Sequence, residues 1–103
     1  INVIKDLDLI YKFDIIKSFM TLIPKKYEKI LCIKLALNGI KETITNIYKL
    51  LIDIINIINN HKNKYFSYMR KVKYKLELIE LKKLSIILDN RYNMLIKLIK
   101  LIK

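Results

Sequence analysis

The chain is poor in the residues that shape turns, since its 103 residues include one glycine, Gly39, and one proline, Pro24. β-Hairpins and other tight turns draw on these two residue types, so their shortage argues against a sheet-rich fold. An apolar content of 53% is also too high for a chain that is disordered by default. The length fits one small domain. Together these features predict a small all-α domain.

Residues that carry chemistry are equally scarce. The single cysteine, Cys32, excludes a disulfide framework and a zinc knuckle, because both need several ligands. It lies in the apolar run Ile30–Ile33, which predicts a buried, unreactive thiol. The chain has one histidine and neither a glycine-rich phosphate loop nor a pair of carboxylates in a helical ligand pattern. We therefore expect no enzymatic activity, no metal and no cofactor.

Long uncharged stretches are missing as well. The longest, 54–61, has eight residues, whereas a transmembrane helix needs about 20. Three aspartates in the first twenty residues fit neither a signal peptide nor a transit peptide. The sequence thus predicts no membrane insertion.

Lysine is abundant, and its distribution along the chain is uneven. The formal net charge is +12, of which residues 1–38 carry +3, residues 39–60 carry none and residues 61–103 carry +9. A basic region of this kind is typical of a surface that faces phosphate groups, with generic solubilising charge as the alternative. Isoleucine, lysine, asparagine and tyrosine make up 57 residues. All four can be encoded by codons made only of A and T, which indicates an AT-rich genome.

The spacing of apolar residues predicts five helical segments in an antiparallel bundle, over 2–22, 25–37, 40–58, 64–88 and 90–102. Pro24, Asn38–Gly39, a polar turn over 59–64, and Asp89–Asn90 are the predicted breaks. The expected core faces are Ile4, Leu7, Tyr11, Ile15, Phe19 and Leu22 in the first segment; Ile40, Ile44, Ile47, Leu51, Ile54 and Ile58, widened by Tyr48 and Ile55, in the third; Tyr65, Met69, Val72, Leu76 and Ile79 in the fourth; and Tyr92, Leu95, Ile99 and Ile102 in the fifth.

A second stripe on the fourth segment is basic. Lys64, Lys71, Lys75 and Lys82 are spaced by seven, four and seven residues, so at roughly 100° per residue they lie within about 40° of one another. Tyr68 lies beside this stripe. Such a ridge of lysines can bind phosphates, although a solvated face is the alternative.

Small polar and aromatic groups lie at the start of the ridge and can reach a sugar or a base edge. They are His61, Asn63, Ser67 and Tyr68. Capping or plain surface exposure is the alternative role for His61 and Ser67.

Three short stretches, in the same order, resemble the family of bacterial-type small-subunit ribosomal protein number fifteen. His61–Ser67 is similar to the family's turn His-Lys-Lys-Asp-His-His-Ser, with His61 and Ser67 at matching positions. Arg91–Leu98 resembles the ending Arg-Tyr-x-x-Leu-Ile-x-x-Leu, and Gly39–Glu42 resembles the helix start Gly-Ser-x-Glu. Residues 1–23 have no counterpart, so we expect an N-terminal helical extension followed by an rRNA-binding helical domain over 24–103.

The resemblance implies a four-helix protein that binds small-subunit ribosomal RNA at a helical junction, supports assembly and helps to form a bridge to the large subunit, where large-subunit rRNA is a second partner. By the same resemblance, Asn38 and Gly39 touch the junction, and His61 and Ser67 contact the RNA minor groove. Neighbouring ribosomal proteins are expected to contact the extension, 1–23. The full set of expected RNA-binding residues is Asn38, Gly39, His61, Lys62, Asn63, Lys64, Ser67, Tyr68, Arg70, Lys71, Lys75, Lys82 and Arg91.

The departures from the family pattern favour contacts by charge over contacts to bases. Lys64 stands at the family's aspartate, 68–70 at its Arg-Arg-Gly, Leu84 at a junction-contacting tyrosine and Ile57 at a histidine. A lysine cannot replace a carboxylate that accepts hydrogen bonds. We therefore expect recognition through the charge and shape of the RNA backbone.

Three features together favour an organellar ribosome: the amino-acid composition typical of an AT-rich genome, the divergence from the family pattern and the N-terminal extension. The mitochondrion is the first expectation, and a plastid-type organelle or an AT-rich bacterium is the alternative. The rival function is a helical scaffold or protein-interaction module without RNA contact. A bundle that lies on a membrane surface is a third hypothesis.

Overall fold

The computed structural model describes the backbone of residues 8–59 and 67–102, and the side chains of 8–57 and 75–102. Within these ranges the protein is all-α and has no strand, which confirms the all-α part of the prediction, whereas the bundle of four family-type helices stays a prediction. The four helices are α1 (Leu9–Leu22), α2 (Lys25–Glu28), α3 (Leu31–Asn59) and α4 (Ser67–Ile102). Two predicted breaks lie inside a helix, the predicted segment 25–37 is interrupted at 29–30, and Asp8, within the predicted segment 2–22, is a turn residue before α1.

Pro24 ends α1, as predicted. Ile23 adopts an extended backbone, with φ −70° and ψ 122°, because the proline ring disfavours helical geometry for the residue before it. The chain resumes at once with the single turn of α2, whose Tyr27 N–H donates to the Pro24 carbonyl at 2.9 Å. A further turn, in which the Lys34 N–H donates to the Ile30 carbonyl at 2.9 Å, leads into α3.

The predicted helix break at Asn38–Gly39 is wrong, because α3 runs through both residues without interruption. Gly39 does not adopt a positive φ. The reason is the apolar stripe of Ile33, Ile40, Ile47 and Ile54, all fully buried and seven residues apart. Burial of each isoleucine contributes about 1.5–3 kcal/mol, which outweighs the roughly 1 kcal/mol that a glycine costs inside a helix.

The predicted break at Asp89–Asn90 is wrong for the same reason. Leu81, Leu88 and Leu95 are also seven residues apart and fully buried, so α4 remains one helix of 36 residues. The carboxylate of Asp89 does not cap a helix but forms an ion pair with Lys12 of α1.

Helices α3 and α4 pack side by side and run antiparallel. Arg91 of α4 lies beside Gly39, near the start of α3, whereas Glu80 and Leu84 line one pocket with Leu50 and Asp53, nearer its end. The seam between the helices holds the two leucine and isoleucine stripes. The resulting molecule is elongated, with principal extents of 58 × 21 × 17 Å.

The buried face of α1 is not the predicted one. Leu9, Ile16 and Ile23 are buried, whereas Tyr11, Ile15 and Leu22 of the predicted face are exposed and Phe19 is half-buried. The prediction chose the wrong face because isoleucines occupy both positions 15 and 16. Helix α1, in the predicted extension, shares the core of α3 and α4. The predicted contact of 1–23 with a neighbouring ribosomal protein would use the exposed side.

In the other helices, some of the predicted core residues are buried and others are exposed. The third stripe is confirmed, with Ile40, Ile47 and Ile54 fully buried and Ile44 and Leu51 packed against them. On the core face predicted for the fifth segment, Leu95 is fully buried, and Tyr92, Ile99 and Ile102 are half-buried. The structure overturns the burial predicted for Leu76, Ile79, Tyr48, Ile55 and Cys32, all of which are exposed. Cys32 precedes the fully buried Ile33, and one residue turns a helical side chain by roughly 100°.

Of the remaining predicted residues, Ile4, Leu7 and Tyr65 and the side chains of Ile58, Met69 and Val72 lie outside the described ranges. None of the described helices is long and apolar enough to cross a membrane.

Candidate nucleic-acid interface

The lysine ridge of α4 lies on its solvent-facing side. Lys75 and Lys82 are both exposed. Because α4 does not break at Asp89–Asn90, the ridge continues to the end of the helix, where Lys97 and Lys100 are also exposed. At roughly 100° per residue, Lys75, Lys82 and Lys100 fall within about 20° of one another. With a rise of about 1.5 Å per residue, they span about 38 Å.

Asp89 interrupts this ridge, but its charge is compensated. It is seven residues beyond Lys82 and lies on the same side of the helix. The Lys12 ammonium of α1 donates to Asp89 Oδ2 at 3.1 Å and to Ser85 Oγ at 3.0 Å. The pair brings a basic residue of α1 to the acidic gap, so the ridge carries no isolated carboxylate at this point.

Two of the other predicted RNA-binding residues lie together elsewhere. The Arg91 Nη1 donates to the Gly39 carbonyl at 2.8 Å and to Thr43 Oγ1 at 2.8 Å, and Thr43 Oγ1 donates to the same carbonyl at 2.8 Å. Arg91 therefore links α4 to α3 across the seam. Asn38, next to Gly39, is exposed.

The Arg91–Gly39 contact and the lysine ridge lie on opposite sides of α4. Arg91 is nine residues beyond Lys82, which corresponds to a rotation of roughly 180°. The predicted RNA-binding residues therefore do not form one surface. The structure separates Asn38, Gly39 and Arg91 from Lys75 and Lys82.

The remaining predicted residues are not described at the level of their side chains. His61, Lys62, Asn63 and Lys64 lie outside the described ranges, and Ser67 is the first residue of α4. For Ser67, Tyr68, Arg70 and Lys71 only the helical backbone is given.

The pair of helices α3 and α4 has two different faces. On the covered face, α1 contacts Tyr48 through Phe13, with ring centroids 5.3 Å apart, and Tyr92 through Phe19, at 5.6 Å. Burial beside α1 raises the pKa of Tyr92 above its ordinary value. The open face, on the other side, carries no other described helix.

The open face is largely apolar. Leu35, Ala36, Gly39, Arg91 and Met94 line a pocket of about 220 Å³ on it. Leu35 is 61% exposed and Met94 is 54% exposed. Exposed apolar side chains in one contiguous patch indicate a surface for contacts with other macromolecules.

Sequence reasoning missed three elements of the site, Lys97, Lys100 and the Lys12–Asp89 pair. The sequence spacing could have identified Lys97 and Lys100. They follow Lys82 by 15 and 18 residues, near-multiples of the helical repeat, which places them on about the same side of the helix. No local sequence pattern predicts the Lys12–Asp89 pair, because its partners are 77 residues apart. Among the described residues no group of His, Cys, Asp and Glu side chains is arranged to hold a metal ion.

Comparison of the chain with protein-family models, with curated proteins and with solved structures finds no match.

Proposed function

We propose that the protein is a structural, RNA-binding component of the small subunit of an organellar ribosome, most simply a mitochondrial one. In this proposal it binds small-subunit rRNA at a helical junction, supports assembly and helps to form a bridge to the large subunit. It is not an enzyme. The resemblance of 39–101 to small-subunit ribosomal protein number fifteen supplies the target, and the charge distribution supplies the mode of binding.

The lysine ridge is the observation that carries the proposal. Lys75, Lys82, Lys97 and Lys100 project from one side of a single helix, and the acid in their line is paired with Lys12. Lysines in such a row bind successive phosphates as point charges and place few demands on base sequence. This fits a binding mode that reads backbone charge and shape.

The open face favours a second candidate, a protein-interaction module. Its exposed Leu35, Ile87 and Met94 offer apolar contact area that the lysine ridge, on the opposite side of α4, does not use. A protein bound there leaves the ridge free. The two candidates therefore predict different effects of the same lysine substitutions.

The test is filter binding of the full chain to a small-subunit rRNA junction over a series of salt concentrations. We expect affinity to fall steeply with salt, because each bound phosphate releases counterions. The variant K75Q/K82Q/K100Q should lose roughly tenfold or more in affinity, and the slope of log K against log salt should become shallower by about two to three.

The matched control is K34Q/K49Q/K83Q, which removes three other exposed lysines and the same total charge. The control should retain most of the affinity. Equal losses in the two variants would mean that net charge alone drives binding, and unchanged binding in both would show that the ridge is not the RNA interface. Failure of the unmodified chain to bind the junction would favour the protein-interaction module. Cosedimentation with organellar small subunits at high salt tests the proposed location directly.

A further inference from the structure

A groove of about 660 Å³ lies on the covered face, between α1, α2 and α3. Its size falls within the range of about 300–1,000 Å³ that is typical of small-molecule sites. Part of its wall comes from α1, in the extension that has no counterpart in the resembled family. It is separate from the lysine ridge, to which none of its lining residues belongs.

Aromatic rings line one side of the groove. Tyr48 of α3 packs against Phe13 of α1 with an interplanar angle of 39°. Although it makes this contact, Tyr48 is 53% exposed. An exposed ring held in place by a second ring offers a platform on which a nucleobase stacks.

Two lysines line the groove from different helices. Lys17 of α1 and Lys41 of α3 are both exposed and both line it. Glu28 of α2 lines the groove as well, so the three charged groups sum to +1. Ammonium groups beside an aromatic platform are the combination that binds a single-stranded nucleic acid.

The two threonine hydroxyls of the groove already donate their hydrogens to backbone carbonyls. Thr21 Oγ1 donates to the Ser18 carbonyl at 2.6 Å, and Thr45 Oγ1 donates to the Lys41 carbonyl at 2.9 Å. Since each of these hydroxyls has one hydrogen, its oxygen can serve a ligand only as an acceptor. The Glu28 carboxylate is a third acceptor. The groove therefore suits a base that donates hydrogen bonds from an amino group.

We propose that this groove binds one unpaired nucleotide, with its base stacked on Tyr48 and its phosphate bound by Lys17 and Lys41. Glu28 accepts from an exocyclic amino group, so adenine, cytosine and guanine are preferred over uracil. The assignment of this nucleotide to an RNA strand rests on the proposed function. The groove adds a contact to single-stranded RNA beside the backbone contacts of the ridge.

The experiment measures binding of the full chain to fluorescent single-stranded oligo(A) and oligo(U), about eight nucleotides long, by anisotropy at fixed low salt. Tyr48→Ala should weaken oligo(A) binding roughly tenfold or more, because stacking is lost. Tyr48→Phe, which keeps the ring, should bind like the unmodified chain. Tyr11→Ala removes a comparably exposed tyrosine outside the groove and should change nothing.

Three results would overturn the proposal or part of it. Equal affinities for Tyr48→Ala and Tyr11→Ala, with helicity preserved by circular dichroism, would remove the stacking site. Equal affinities for oligo(A) and oligo(U) would show that Glu28 does not select bases with an exocyclic amino group. Displacement of oligo(A) by free AMP at similar concentrations would assign the groove to a free nucleotide and not to RNA.

The rRNA junction serves as the second ligand for the same variants. If Tyr48→Ala weakens oligo(A) binding and K75Q/K82Q/K100Q leaves junction binding unchanged, the nucleotide site in the groove is supported. The proposed function is then contradicted. If Tyr48→Ala leaves oligo(A) binding unchanged and K75Q/K82Q/K100Q weakens junction binding, the nucleotide site is contradicted and the proposed function is supported.

Discussion

The two faces of the α3–α4 pair contain similar side chains and differ in what covers them. On the covered face, Leu9 and Ile16 of α1 and the following Ile23 are buried, and α1 connects to α4 through an ion pair. On the open face, leucine, isoleucine and methionine are exposed, and among the described side chains Arg91 connects the two helices by hydrogen bonds. In this protein an apolar composition therefore does not tell whether a face is covered; the contacts between the helices do.

Truncation of a side chain on each face should give the largest difference. Ile16→Ala removes a buried side chain of α1, and we expect it to cost about 2–5 kcal/mol in the free energy of unfolding. Leu35→Ala removes a side chain with the same number of atoms from the open face, where it is 61% exposed, and should change stability by less than about 0.5 kcal/mol. Urea denaturation of both variants measures the difference. A similar cost at both sites would show that the open face is covered in solution.

Lys12→Met should destabilise the covered face by about 1 kcal/mol. The substitution keeps the apolar stem but removes the bonds to Ser85, which is fully buried, and to the half-buried Asp89. Lys17→Met, on the same helix but exposed, is the control for stability. Junction binding should also weaken, because Asp89 then interrupts the ridge without a partner. Unchanged RNA affinity would show that the pair has only a structural role.

Gly39→Ala is expected to stabilise the protein by about 0.5–1 kcal/mol, since alanine is the better helix former. A Cβ at this position would approach Arg91 no closer than 3.6 Å, an ordinary van der Waals contact. Thermal unfolding measures the gain. RNA affinity should stay the same if the ridge is the interface. A stabilised variant that binds the junction less tightly would place the RNA on the open face, at Gly39, as the family resemblance implies.

The smallest effect concerns Tyr92 at alkaline pH. Burial raises its pKa above the ordinary value of 10.0, so the folded state retains the phenol proton where the unfolded chain loses it. This contribution to stability is complete below about pH 10 and is lost as the pH rises through the raised pKa. Tyr92→Phe should therefore show a shallower fall in melting temperature between about pH 9 and 11. An identical fall would mean that the phenol is solvated in the folded state.

The sequence was most informative where one apolar stripe had no competitor. Ile40, Ile47 and Ile54 are predicted and found in the core, and Pro24 ends α1 as its ring geometry requires. Prediction failed on α1, because both Ile15 and Ile16 belong to plausible faces and only contacts with α3 and α4 decide between them.

The breaks predicted from Asn38–Gly39 and Asp89–Asn90 failed because local preferences of about 1 kcal/mol are outweighed by the burial of a continuous stripe. The second error also affected the site. With α4 divided at Asp89, Lys97 and Lys100 belonged to another segment and could not be aligned with Lys82. The link between Lys12 and Asp89 depends on tertiary packing, which no local pattern in the sequence encodes.

Cys32 gives the protein a built-in attachment point. It is the chain's single cysteine and is exposed near the start of α3, seven residues before Gly39 and hence on the same side of the helix. A maleimide dye would label this one position in the unmodified chain. Its emission would respond directly to a macromolecule that covers the open face, whereas RNA bound along the lysine ridge would affect it only through distance. One labelled sample can therefore report, by quenching or energy transfer, which side of the molecule is occupied.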